Sequence, residues 1–160
     1  MKFRLFGSLA LVLTFAAAGQ AQHGAHDPAL MERGNKGMAF DQHATTHHFI
    51  LSKEGGAIEV TANADTDEAS ARNIRQHLQH IAKAFSAGDF ALPIFIHGTE
   101  PPGAAVLRQR KAAMKYWYQE LPKGGKVEIR TADADALAAL HAFLRYQITE
   151  HKTGDPMTPR

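Results

Sequence analysis

Gly55-Gly56-Ala57-Ile58-Glu59-Val60-Thr61-Ala62-Asn63-Ala64-Asp65 lies residue for residue against Gly124-Gly125-Lys126-Val127-Glu128-Ile129-Arg130-Thr131-Ala132-Asp133-Ala134. In both copies β-branched residues alternate with charged or small ones, the period-two pattern of a strand with one buried face. Each copy opens on a polar turn, Lys53-Glu54-Gly55-Gly56 or Pro122-Lys123-Gly124-Gly125, whose glycines are read as the positive-φ residues. Ahead of the turns stand two further strand candidates, Thr46-His47-His48-Phe49-Ile50-Leu51 and Met114-Lys115-Tyr116-Trp117-Tyr118. Behind them come two helical stripes. Ile74, Leu78, Ile81, Ala82 and Phe85 form the first; Leu137, Leu140, Leu144 and Ile148 form the second. Each helix ends on Gly-Asp, at Gly88-Asp89 and Gly154-Asp155.

The plan is two ββα units, 45–89 and 113–155, in one α+β domain spanning 45–155. The expected fold is an antiparallel sheet with two helices on one face. Ile58, Val60, Val127 and Ile129 should lie under the helices. A possible extra strand occupies 90–97, where Ile94, Phe95 and Ile96 form a short apolar run.

Outside the domain, Met1-Lys2-Phe3-Arg4 precedes an apolar run from Leu5 to Ala18, with small residues at Gly19 and Ala21. That is the pattern of a secretory signal peptide, 1–21, cleaved after Ala21. The run is shorter than the roughly 20 residues of a spanning helix. Residues 22–44, with Gly24, Pro28, Gly34 and Gly37 and no sustained period, read as a mobile leader, and 156–160 as a tail. The expected location is the periplasm or the outside of the cell.

Loss of Lys2 and Arg4 with the signal leaves Lys+Arg equal to the 16 Asp+Glu, so the mature chain is about neutral. Neutrality argues against nucleic acid as a partner, and the basic-aromatic stretch from Leu107 to Tyr118 reads as a solvated face leading into a strand. With no cysteine in the chain, disulfides, CxxC redox chemistry, cysteine zinc sites, covalent haem and a lipid anchor on cysteine are all excluded.

Five stretches resemble an uncharacterised family of small exported bacterial proteins. They are Gly37-Met38-Ala39-Phe40-Asp41-Gln42, Thr45-Thr46-His47-His48-Phe49, the helix from Ile74 to Ala82, Pro101-Pro102-Gly103, and His141 to Ile148 continuing to Thr153-Gly154-Asp155. The resemblance covers nearly all of 32–155 and implies export and this fold. Some members carry the label aspartate carbamoyltransferase. A transcarbamoylase is a two-domain α/β enzyme that grips carbamoyl phosphate with a Ser-Thr-Arg-Thr loop at a helix N-terminus. This chain has no such loop, so the resemblance implies no chemistry.

All ten histidines lie in the mature part. Imidazole is the common neutral ligand of zinc, copper and nickel, and an exported chain without thiols must bind them mainly through it. His43, His47 and His48 are the densest group; on a strand His47 and His48 face opposite sides, so only one can join a given site. His77 sits on the flank of the first helix stripe and His80 on its solvent side. His141 and His151 both fall within the second stripe, about 15 Å apart at 1.5 Å per residue, with His141 read as a satisfied core histidine. His23 and His26 are in the leader.

If the two units are related by a two-fold axis perpendicular to the sheet, the second helix ends where the first strand begins. That brings His151 to His47 or His48, and because the first helix runs the other way, the strand from Phe90 returns to the same rim and delivers His97. The candidate metal ligands are therefore His47, His48, His97 and His151, and the expected function is binding of copper or zinc. The alternatives are a small-organic-ligand or self-associating module using the open sheet face, and thirdly an enzyme. No GxSxG, HExxH or phosphate loop names a catalytic residue.

Overall fold

The computed structural model describes residues 28–160. The expected signal peptide 1–21, and His23 and His26 of the expected leader, lie outside the described residues.

Four eight-residue strands form the sheet: β1 (Thr45–Ser52), β2 (Gly55–Ala62), β3 (Met114–Leu121) and β4 (Gly124–Thr131). Their order is β1-β2-β4-β3, all neighbours antiparallel. The long helices α2 (Glu68–Ser86) and α5 (Ala134–Glu150) cover one face. Three shorter helices complete the chain: α1 (Pro28–Met38), α3 (Ala91–His97) and α4 (Ala104–Gln109). The architecture is α+β with the sheet carrying its helices, as the repeat predicts. Ile58, Val60, Val127 and Ile129 are all buried beneath them.

The central pairing obeys two-fold symmetry. Gly55 faces Arg130 while its counterpart Gly124 faces Thr61, and the axis passes between the paired counterparts Ile58 and Val127. Each long helix lies chiefly over the other unit's hairpin, α2 over β3 and β4, α5 over β1 and β2. The locks at the hairpin turns are also paired. Arg75 of α2 donates to Leu121 O and Pro122 O at 3.1 and 2.6 Å. In α5, His141 Nε2 lies 3.0 Å from both Ser52 O and Gly55 O. His141 is thus the satisfied core histidine expected.

Helix starts match as well. Asp67 caps α2 by accepting from Ser70 N, and Asp133 caps α5 by accepting from Ala136 N. Hydrogen bonds from the Ser70 side chain and then its amide hold the Asp67 carboxyl below its ordinary range, and the bond from Ala136 N does the same for Asp133. Gly88 follows the C-cap of α2 at φ 80°, where a Cβ is strongly disfavoured; in α5 that place is taken by Lys152 at φ 48°, and Gly154 lies two residues farther on at φ 75°.

The hairpin glycines have a different role from the one expected. Neither Gly55-Gly56 nor Gly124-Gly125 has positive φ; they open β2 and β4, and the turns are Lys53-Glu54 and Pro122-Lys123. Their use is close approach. A Cβ on Gly56 would stand 2.4 Å from Leu144 Cδ1, and one on Gly125 3.2 Å from Leu78 Cδ1, so each glycine admits the leucine of the helix above it.

Two expectations about 22–44 and 90–97 are corrected. From Pro28 the leader is ordered: Leu30, Met31, Gly34 and Met38 recur on one buried face of α1, and a 3-10 turn at Gln42–Ala44 leads into β1. Residues 91–97 are helix α3, not a strand. Its buried residues Pro93 and Ile96 are spaced for a helix, Pro93 falls in the first turn where it is tolerated, and Gly98 at φ 71° caps the end.

The tail caps the sheet edge. Asp155 Oδ2 accepts from Phe49 N at 2.9 Å and Arg160 N donates to Leu51 O at 3.2 Å, so outward-facing groups of β1 are partnered.

Candidate functional site

Between the sheet and the helices, at the end where β1 begins and α5 finishes, lies a cavity of about 60 Å³. Its floor is His47, Phe49, Ile58 and Val60 of the sheet. α2 contributes His77, Leu78, Ile81 and Phe85; α3 contributes Pro93, Ile96 and His97; α5 contributes Phe143, Gln147 and His151, with Met38 at the end of α1. Four imidazoles therefore share an otherwise apolar wall.

Three of the four expected residues meet there. The His47 and His151 rings have centroids 5.7 Å apart, and His97 meets His151 edge-on at 5.2 Å. His151 is at the rim because α5 crosses over the first unit's hairpin, as two-fold symmetry demands. His97 arrives by a helix in place of a strand. Its Nε2–H donates to Gln147 Oε1 at 2.9 Å and its ring packs on Tyr146. The fourth residue, His48, is not brought in. It points to the other face of the sheet, where its Nδ1 lies 2.8 Å from Asp155 Oδ1.

His77 is the residue that its helical position undervalued. Its ring stands edge-on to Phe40 at 5.5 Å, and Phe40 also leans on His47 at 5.9 Å. Burial depresses its pKa to about 4, with His80 adding repulsion. Burial likewise lowers that of His97. Both are neutral imidazoles at neutral pH. His80 and His43 are exposed, outside the cavity.

The internal symmetry supplies a control for this end of the molecule. Aligned on the caps Asp67 and Asp133 and on the closing glycines, His151 corresponds to Phe85, Gln147 to Ile81 and His77 to Phe143; across the strands, His47 corresponds to Tyr116. In that other copy Phe85 packs edge-on to Tyr116 at 6.2 Å and to Phe143 at 5.8 Å, with Phe85 and Phe143 also forming the inner wall of the cavity. Four polar side chains stand where the other copy of the same architecture uses four largely apolar ones. Burying imidazoles and an amide costs free energy that the aliphatic and aromatic counterparts at these positions largely avoid. Part of that cost is unrelieved: among the described residues, His97 Nδ1 and Gln147 Nε2 are buried with no hydrogen-bond partner.

Among the described residues no three histidine, aspartate or glutamate side chains stand in a metal-ligating array as the rings are now turned. The open face of the sheet carries mixed charge, with Arg130 bonded to Glu128 and lying 5.9 Å over the exposed Trp117 ring. No protein-family model, curated protein or solved structure matches the chain.

Proposed function

We propose that this is an exported protein that binds a transition metal, copper or zinc, through His47, His97 and His151, with His77 beside them. The observation that carries the reading is the replacement of an apolar cluster by imidazoles at one end of a symmetric fold. Ring spacing supports it. Two imidazoles on one tetrahedral ion, each nitrogen about 2 Å from the metal, have ring centres about 5 Å apart. The pairs here are at 5.2 and 5.7 Å. Rotation of rings already in place, with His97 leaving Gln147, is the change that ligation requires.

Cavity size favours an ion over an organic ligand. Sites for small molecules run to roughly 300–1,000 Å³, against about 60 Å³ here. The open sheet face is the second reading, favoured by Trp117, which is 47 % exposed. Export rests on the sequence of residues 1–21 and is checked by mass spectrometry of the secreted or periplasmic protein, which should begin at Gln22 and not at Met1.

The test of binding is thermal unfolding of the tag-free mature protein after chelation, with copper or zinc restored. A native-state ligand at about 100 times its Kd stabilises by roughly 2.7 kcal/mol. The rise in midpoint should vanish in His47→Tyr/His151→Phe and weaken in acid, where protons compete with the metal for the imidazoles, at a pH below the ordinary 6.5 for His97, whose burial lowers its pKa. No metal-dependent shift in the unaltered protein would refute the reading.

A further inference from the structure

We infer that the ion is monovalent copper and that Met38 supplies a thioether ligand to it; this rests on the metal-binding reading above. The donor-bearing residues that line the cavity are His47, His77, His97, His151, Gln147 and Met38, and no carboxylate is among its lining residues. The formal charges of Glu150 and Arg33 act on His97 in opposite directions. An ion entering this cavity is thus met by neutral donors in an apolar wall.

Charge decides between the candidates. The cost of taking an ion out of water rises with the square of its charge, so a divalent ion pays four times what a monovalent one does in the same surroundings. Zinc or cupric ion would need an anion beside it, and the space of about 60 Å³ would have to house both. Cuprous ion needs none. It is also soft, and thioether sulfur selects it over zinc.

Met38 is placed for that role by packing. It is 5 % exposed at the last turn of α1. α1 is seated closely on α3: a Cβ on Gly37 would stand 2.9 Å from Leu92 Cδ1, and Arg33 Nε donates to Ile96 O at 2.7 Å. Two residues on, Phe40 holds the rings of His47 and His77. The same short segment therefore brings Met38 to the cavity and braces two imidazoles.

The experiment titrates metal-free mature protein anaerobically with cuprous ion against a chromogenic cuprous chelator, and separately with zinc against a zinc dye. X-ray absorption is recorded on the copper-loaded sample. Cuprous ion should bind one per chain, at least about 100-fold tighter than zinc, with one sulfur among the copper's neighbours. Met38→Leu, close in volume, should lose the sulfur signal and weaken cuprous binding about tenfold, leaving zinc affinity and the metal-free thermal midpoint unchanged. Equal affinities, or copper with no sulfur neighbour in the unaltered protein, would overturn this inference and leave the metal site standing. Binding of neither metal would overturn both.

Discussion

The two ends of this molecule are built from the same parts and filled differently. At one end, Phe85 packs on Phe90 at 4.5 Å, on Tyr116 and on Phe143, and Phe85, Phe143 and Ile81 also reach the inner wall of the cavity. At the other, His151, His47, His77 and Gln147 hold the equivalent positions and His97 packs on His151. Strand lengths, helix N-caps and turn locks are shared, so the architecture does not require imidazoles. The difference isolates a polar cluster that stability alone would not select.

The largest effects should fall on what the ends share. Leu78 and Leu144 are fully buried counterparts, each seated over a glycine. Leu144→Ala and Leu78→Ala should each cost about 2–5 kcal/mol by chemical denaturation. Near-neutral results at both would break the symmetric account of the core.

Glycine substitutions should then separate the ends. At Gly56 a Cβ meets Ile50 O at 2.5 Å as well as Leu144, whereas at Gly125 the nearest atom is a Tyr118 ring carbon at 2.8 Å. Backbone cannot retreat as a side chain can, so Gly56→Ala should lose more, on the order of 1–3 kcal/mol. Equal or reversed losses would show that the leucines are not seated as described.

The smaller effect is a pH dependence confined to the polar end. The His77 pKa is about 4 in the fold, against an ordinary 6.5. Between those values the unfolded chain binds the extra proton, so stability is full above pH 6.5 and declines as pH falls toward 4. Half-burial of the ring limits this to on the order of 2 kcal/mol. His77→Phe, the residue its counterpart Phe143 already is, should flatten unfolding free energy across that window. An unchanged slope would place the acid sensitivity elsewhere, at His97 first.

Much of this was legible in the sequence, because period-two alternation and a repeated Gly-Gly carry their own register. The meeting of His47 and His151 followed from symmetry applied to residue numbers; His97 was expected there on a returning strand and arrives on the helix α3 instead. What escaped did so for physical reasons. The apolar run at 94–96 is too short for periodicity to separate helix from strand, and the Phe90, Pro93, Ile96 spacing was the signal that decides it. In α1, glycines obscured the stripe of Leu30, Met31 and Met38. His77 was judged by its own helix alone. Its significance appears when α2 and α5 are aligned on Asp67 and Asp133, an alignment hidden because the loop before α5 is shorter than the one before α2.

The central claim is that the histidine end is a ligand site and not a requirement of the fold. Its most direct test rebuilds that end in the image of the other, as His47→Tyr/Gln147→Ile/His151→Phe, and compares calorimetric metal titration and denaturant unfolding with the unaltered protein. The account predicts a folded variant at least as stable as the original, since apolar groups replace buried polar ones and fill the cavity, with no detectable metal binding. A variant that binds metal as the original does, or an original that binds none, would contradict it.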